Sequence, residues 1–278
     1  KKFNFDAAII FSDILVIWDA IDINVDFIEG IGPMVSRPTN IKKFKELPDI
    51  LNDKKVSPCY DSIKHIKAKI DKPLIGFAAA PWTLAAYFIE GKITKDLSIV
   101  KKFSYENPKE MDNLIDLFTK LIIDHLKNQI KAGVDIIQIF DTHAFQMDYY
   151  LHEKYSIKQL KKISKEIRKD YKEIPISFYT KSNLMVKNYD IEKNINCLSF
   201  NSNIDMNIAK NFFSDELCFQ GNLDPMLLVV GGHIMKKAVL KILNNMKGRK
   251  FIFNLGHGIL PQTPERNVHE LINIIRSY

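Results

Sequence analysis

Gly76-Phe77-Ala78-Ala79-Ala80-Pro81-Trp82-Thr83-Leu84-Ala85-Ala86-Tyr87-Phe88-Ile89-Glu90-Gly91 reads as the end of a strand, a tight loop and a helix. Pro81 suits a first helical turn, where its missing N–H has no bond to make, and Gly91 suits the position just past the last turn. One strand feeding one helix in so few residues is the basic unit of an α/β fold.

The same alternation extends in both directions. Apolar, β-branched runs at residues 7–12, 74–78, 135–140, 176–179, 197–200, 217–220 and 251–254 predict seven strands. Most are nearly continuous apolar runs, as expected of strands covered on both faces. Segments of helical period lie between them at 60–70, 107–132, 157–170, 204–213, 234–246 and 264–277. The clearest, over 107–132, places Leu114, Leu117, Phe118, Leu121, Ile122 and Leu126 on one face and has Gly133 as its stop. No Ser/Gly linker, low-complexity tract or fixed-period repeat interrupts the pattern, so residues 1–278 are read as one domain.

Seven βα units fit either an open doubly wound sheet or an incomplete eightfold barrel. Two features favour the barrel. No G-x-G-x-x-G turn follows any strand, and polar residues close strand after strand: Ser12-Asp13, Asp141-Thr142-His143, Thr180-Lys181, Gly221-Asn222-Leu223-Asp224 and Gly256-His257-Gly258. In a barrel these positions converge on one mouth, where barrel enzymes place their chemistry.

Composition narrows the function. The chain has 46% hydrophobic residues and a formal net charge of +7, carried by lysines scattered in ones and twos, which reads as a solvated surface rather than a nucleic-acid or membrane site. Every apolar run is too short or too interrupted to span a bilayer. The N-terminal residues carry no secretory pattern. Three cysteines, Cys59, Cys197 and Cys218, have neither a Cys-x-x-Cys pair nor a nearby metal-spaced His, so a reducing, cytoplasmic setting is expected. No metal motif, Walker loop or nucleophile elbow is present, leaving acid/base or electrostatic catalysis on an organic substrate.

Asp13 lies between Ala7-Ala8-Ile9-Ile10-Phe11-Ser12 and Ile14-Leu15-Val16-Ile17, where a buried carboxylate would need compensation. It reads either as a turn cap or as an acceptor aimed at ligand donors, and its strand-end position favours the second. His257, flanked by two of the 11 glycines, sits where backbone could approach a ligand closely. Tyr87 reads as a core aromatic or as a phenol near Asp13. Packing explains His143 as well as a ligand does, and Gln220-Gly221-Asn222-Leu223-Asp224-Pro225 reads equally as turn or binding loop.

Four of these segments, in order, resemble the motifs of the uroporphyrinogen decarboxylase family: Asp6 through Val16, Gly76 through Gly91, Gln220 through Pro225, and Asn254-Leu255-Gly256-His257-Gly258. The resemblance implies a (β/α)8 TIM barrel, with about seven of its eight βα units in this chain, that removes CO₂ from the four acetate side chains of uroporphyrinogen III to give coproporphyrinogen III. It further implies no cofactor and no metal, and a homodimer when full length. It makes Asp13 the acceptor of the macrocycle N–H groups, Tyr87 and His257 pocket residues that position substrate or assist proton movement, and Thr142 a contact to a substrate carboxylate. The family's first strand and Arg-rich loop, of the form Arg-Gln-Ala-Gly-Arg, have no counterpart here, and none of Arg37, Arg168, Arg249, Arg266 and Arg276 follows a strand end. The chain is therefore read as N-terminally truncated, with exposed strand edges and low stability. Smaller departures are Trp18 for a usual Pro, Asp22 and Ala79 for Gly, Ser199-Phe200 for Asp-Trp, and Lys181-Ser182-Asn183 for a Gly-rich turn. The alternatives are an inactive or porphyrinogen-binding product and, further off, a corrinoid-dependent methyltransferase, whose zinc-binding His-x-Cys is absent from the sequence.

Overall fold

The computed structural model describes residues 2–10, 12–28, 32–35, 46–92, 94–182 and 191–278. Seven parallel strands form one sheet: β1 (Ala8–Ile9), β4 (Leu74–Ala79), β5 (Ile136–Asp141), β6 (Ile176–Thr180), β7 (Cys197–Ser199), β8 (Cys218–Leu223) and β9 (Phe251–Leu255). Their order in the sheet is their order in the sequence, so successive strands are neighbours, and helices are described in every connection except that between β6 and β7. All seven expected strands lie in this sheet. The helices are α1 (Val16–Asp19), α2 (Asp53–Lys67), α3 (Pro81–Glu90), α4 (Ser98–Glu106), α5 (Pro108–Ala132), α6 (Tyr149–His152), α7 (Lys158–Asp170), α8 (Met206–Ala209), α9 (Pro225–Val230), α10 (Gly232–Met246) and α11 (Glu265–Arg276). No described helix is long and apolar enough to cross a membrane.

The unit that opened the sequence reading forms as expected. Pro81 starts α3, and Gly91 closes it in the left-handed region at φ 76°, with its N–H on the Tyr87 carbonyl. Helix α5 spans Pro108 to Ala132, closed by left-handed Gly133, and buries Met111, Leu114, Phe118, Leu121, Ile122 and Leu126. Each such side chain contributes about 1.5–3 kcal/mol relative to exposure. Its Gln129 amide does separate work. It donates to the Phe77 carbonyl at 2.8 Å and accepts from the Phe77 N–H at 2.9 Å, serving a central strand whose pairing with β1 is only two residues long. A Cβ on Gly76 would lie 2.4 Å from Gln129 Oε1, so the glycine is what admits the amide.

Several elements differ from expectation, among them helix α4, which was not predicted. A hairpin of β2 (Val25–Ile28) and β3 (Gly32–Val35) docks its end on α3 through Val35 N–H to the Gly91 carbonyl at 2.7 Å; Pro33 disguises it in the sequence, because proline argues against a strand. Helix α2 begins seven residues before the predicted start at Tyr60, capped by Asn52 and running through Pro58. Helix α8 is shorter than predicted, because the chain turns out of it to place Phe213 against Phe200 and Phe219.

Candidate active site

The C-terminal ends of β5 and β6 carry most of the site. Asp141 ends β5 and is fully buried; its carboxylate accepts from Thr83 Oγ1 at 3.0 Å and from the Ser156 hydroxyl. Burial pushes its pKa up to about 6, against the pull of the two hydroxyls. Thr83 also accepts the His143 N–H at 3.2 Å, while the His143 carbonyl accepts Trp82 Nε1–H at 3.0 Å. The first turn of α3 thus grips the backbone on both sides of the His143 ring. Half-buried Thr142 sits between Asp141 and His143.

His143 is 6% exposed, and burial together with the Lys181 charge pushes its pKa down to about 4. The ring is therefore neutral near pH 7, and its Nδ1 has no hydrogen-bond partner among the described residues. Tyr87 meets it edge to face at 4.8 Å between ring centroids, and meets Trp18 of α1 in the same manner at 5.7 Å. Trp18 is fully buried with Nε1 likewise unpartnered among the described residues. Burial first, and then the charge of Asp13, raise the Tyr87 phenol above its usual range. Asp13 and Tyr87 are thus close enough to sense one another.

Asp13 corrects one expectation. It is exposed, not buried: the chain leaves the sheet at residue 10 and turns toward α1, and the carboxylate caps that turn by accepting Leu15 N–H at 2.8 Å. Both of its sequence readings are compatible with this placement, since the cap engages one oxygen and leaves the other.

Lys181 follows β6 and lies 3.5 Å from His257 Nε2, with its ammonium 5.4 Å over the Phe145 ring. Burial and the Lys181 charge lower the His257 pKa, and burial lowers that of Lys181. The His257 loop is held from below. Tyr179 O–H donates to the Gly256 carbonyl at 3.2 Å, and a Cβ on Gly256 would stand 2.3 Å from Ser202 N, so only glycine permits that approach. The Gln220 to Pro225 motif resolves toward structure in its contacts: Asn222 Nδ2 donates to the carbonyls of Asn201 and Ile204, and Asp224 caps α9 through Met226 N–H.

Tyr87 and His257 are therefore linked through His143, which the sequence left between packing and ligand, and Lys181, noted there only as a strand-end residue. Tyr87 reaches His143, His143 senses Lys181, and Lys181 touches His257. His143 and Lys181 each stand one or two residues past a strand end, a position visible in the sequence. No arginine takes part through a described contact: Arg168 bonds Asn196, Arg249 stacks on Phe219 and pairs with Asp215, and Arg276 pairs with Asp6. Arg37 lies outside the described residues. Among the described residues no group of three or more His, Cys, Asp or Glu is placed to hold a metal ion.

The whole chain, residues 1–278, matches the family model described as uroporphyrinogen decarboxylase (URO-D). It is 41% identical over 281 residues to a uroporphyrinogen decarboxylase of Rickettsia bellii and 40% identical to one of Rickettsia massiliae, covering 100% of this chain and 82% and 81% of those proteins. Among solved structures, a methyltransferase from Methanosarcina mazei superposes with a TM-score of 0.81 over 99% of this chain and 81% of that one, at 19% identity, which is a likeness of fold.

Proposed function

The chain belongs to the uroporphyrinogen decarboxylase family, and from that premise we propose that it removes CO₂ from the acetate side chains of uroporphyrinogen III, yielding coproporphyrinogen III in haem and porphyrin biosynthesis. The observation that carries this reading is the gathering of Asp13, Tyr87, His143, Lys181 and His257 at the C-terminal mouth of one parallel sheet.

The chemistry asks for electrostatics and proton handling. A proton added to a pyrrole carbon makes the ring an electron sink; the bond between the acetate CH₂ and its carboxylate then breaks, its electron pair flowing toward the ring as CO₂ leaves. Reprotonation of the exocyclic carbon and loss of the ring proton leave a methyl group, with one proton consumed for each CO₂ released. Positive charge develops on the pyrrole nitrogen. In this reading the free oxygen of Asp13 accepts the pyrrole N–H groups and stabilises that charge. Tyr87 and the neutral His257 position the acetate or relay protons, and Thr142 donates to a substrate carboxylate. An eightfold barrel formed from one domain belongs to the same proposal, supported by the family membership and the fold likeness, as do a homodimeric assembly and a cytoplasmic setting, supported by the family membership alone.

Anaerobic incubation of the full-length protein with uroporphyrinogen III, with chromatography of the oxidised products, tests the reading. Stepwise loss of carboxylates down to the four-carboxylate product is expected. Recovery of unchanged substrate would contradict it, and substrate binding without turnover would assign a porphyrinogen-binding role instead.

A further inference from the structure

The mouth holds a cation that none of these roles uses. Lys181 is fixed by its own backbone N–H on the Asp141 carbonyl at 3.3 Å, so its position is set by the ladder of β5 and β6 rather than by a surface tether. Its side chain is half-buried, against the Phe145 face and His257. An ammonium has three donors and no acceptor. One of the three is directed at His257 Nε2, and the described residues offer the others no carboxylate. Other lysines of the chain behave differently: Lys67, Lys127, Lys154 and Lys162 each pair with an aspartate within 2.8 Å. A cation withdrawn partly from water without a counter-charge is unfavourable unless an anion arrives to meet it. The His143 ring lies 6.3 Å from the same Phe145 ring, and its buried Nδ1 has no partner among the described residues.

We propose that Lys181, with His143 beside it, forms a subsite that receives a carboxylate of the substrate. The assignment rests on the decarboxylase reading for the identity of the anion, but the subsite follows from the geometry of β5, β6 and the His257 loop. It gives the protein a cationic anchor besides Asp13, so that a polycarboxylate ring is held by charge at Lys181 while its N–H groups face the carboxylate of Asp13. In such an arrangement Lys181 acts chiefly in binding, and its removal weakens association more than it slows the chemical step.

The test compares full-length wild type with Lys181→Gln and Lys181→Arg. Two readouts are taken: equilibrium binding of uroporphyrin, the stable oxidised ring with the same carboxylates, by fluorescence at low and high salt, and KM and kcat with uroporphyrinogen III. Lys181→Gln is expected to weaken binding and raise KM about tenfold, the scale of one charge-assisted hydrogen bond, with kcat nearly unchanged and a shallower salt dependence. Lys181→Arg should restore most of the affinity. Wild-type affinity in Lys181→Gln, or equal weakness in Lys181→Arg at an unchanged thermal midpoint, would overturn the proposal. If wild type shows no turnover the decarboxylase reading fails, yet the binding readout still decides the subsite.

Discussion

His125, His143 and His152 are the residues that make acid dangerous to this protein. All three are buried, and burial brings each to a pKa of about 4, from an ordinary 6.5. The unfolded chain therefore binds protons at these sites more readily than the folded one. Their contribution to stability is whole above pH 6.5 and is lost as the pH falls toward 4. Asp141 acts in the opposite sense: raised to about 6 from 3.8, it binds a proton in the folded chain first and offsets one of the three histidines in that window. A urea midpoint lower at pH 5 than at pH 7 is expected from equilibrium unfolding; an equal or higher midpoint at pH 5 would contradict the assignment. Single residues also mark where reading a sequence stops. Tyr87 and His257 were legible because glycines and strand ends framed them. His143, left between packing and ligand, and Lys181, noted only at a strand end, were less so, because their significance lies in partners supplied by other elements: a Tyr ring from α3 for one, a histidine loop after β9 for the other.

At the scale of elements, what the sequence announced was whatever one element's own residues decide. The strands β4 to β8 showed because both their faces are covered, and α5 because its apolar stripe and terminal glycine agree. The hairpin β2 and β3 stayed hidden, since Pro33 stands within a strand and the docking partner is the far end of α3. The joint between α5 and β4 is equally silent in sequence, although one glycine and one glutamine make it. Replacing Gly76 with Ala drives a methyl group against Gln129 Oε1, 2.4 Å from the ideal Cβ position, and is expected to cost about 1–3 kcal/mol. Gln129→Leu leaves the buried Phe77 N–H and carbonyl without that partner, for a loss of about 1–3 kcal/mol. Thermal or urea unfolding of the two variants reads both values; wild-type midpoints would show that the clamp carries no stability.

For the whole molecule, the decisive feature is that the described sheet has two edges. β1 and β9 end the strand order, and Ile9 on one and Ile252 on the other are 50% and 46% exposed. The chain's first residues do reach across, with Phe3 against His269 and Asp6 paired to Arg276, but they leave both strand edges unpaired with one another. Unpaired edges carrying apolar side chains invite association. For this 278-residue polypeptide, concentration-dependent self-association is expected by light scattering, reduced by Ile252→Lys; a monodisperse monomer with no response to that substitution would contradict it. Asp13 itself lies just past edge strand β1, whereas Lys181 follows interior strand β6 and Tyr87 stands on α3; the decarboxylase reading joins the three. It is tested most directly by giving uroporphyrinogen III to the full-length protein and its Asp13→Ala variant side by side and counting the carboxylates that remain. The account predicts coproporphyrinogen from wild type and a loss of at least about 100-fold in kcat for the variant; equal turnover by both would contradict it.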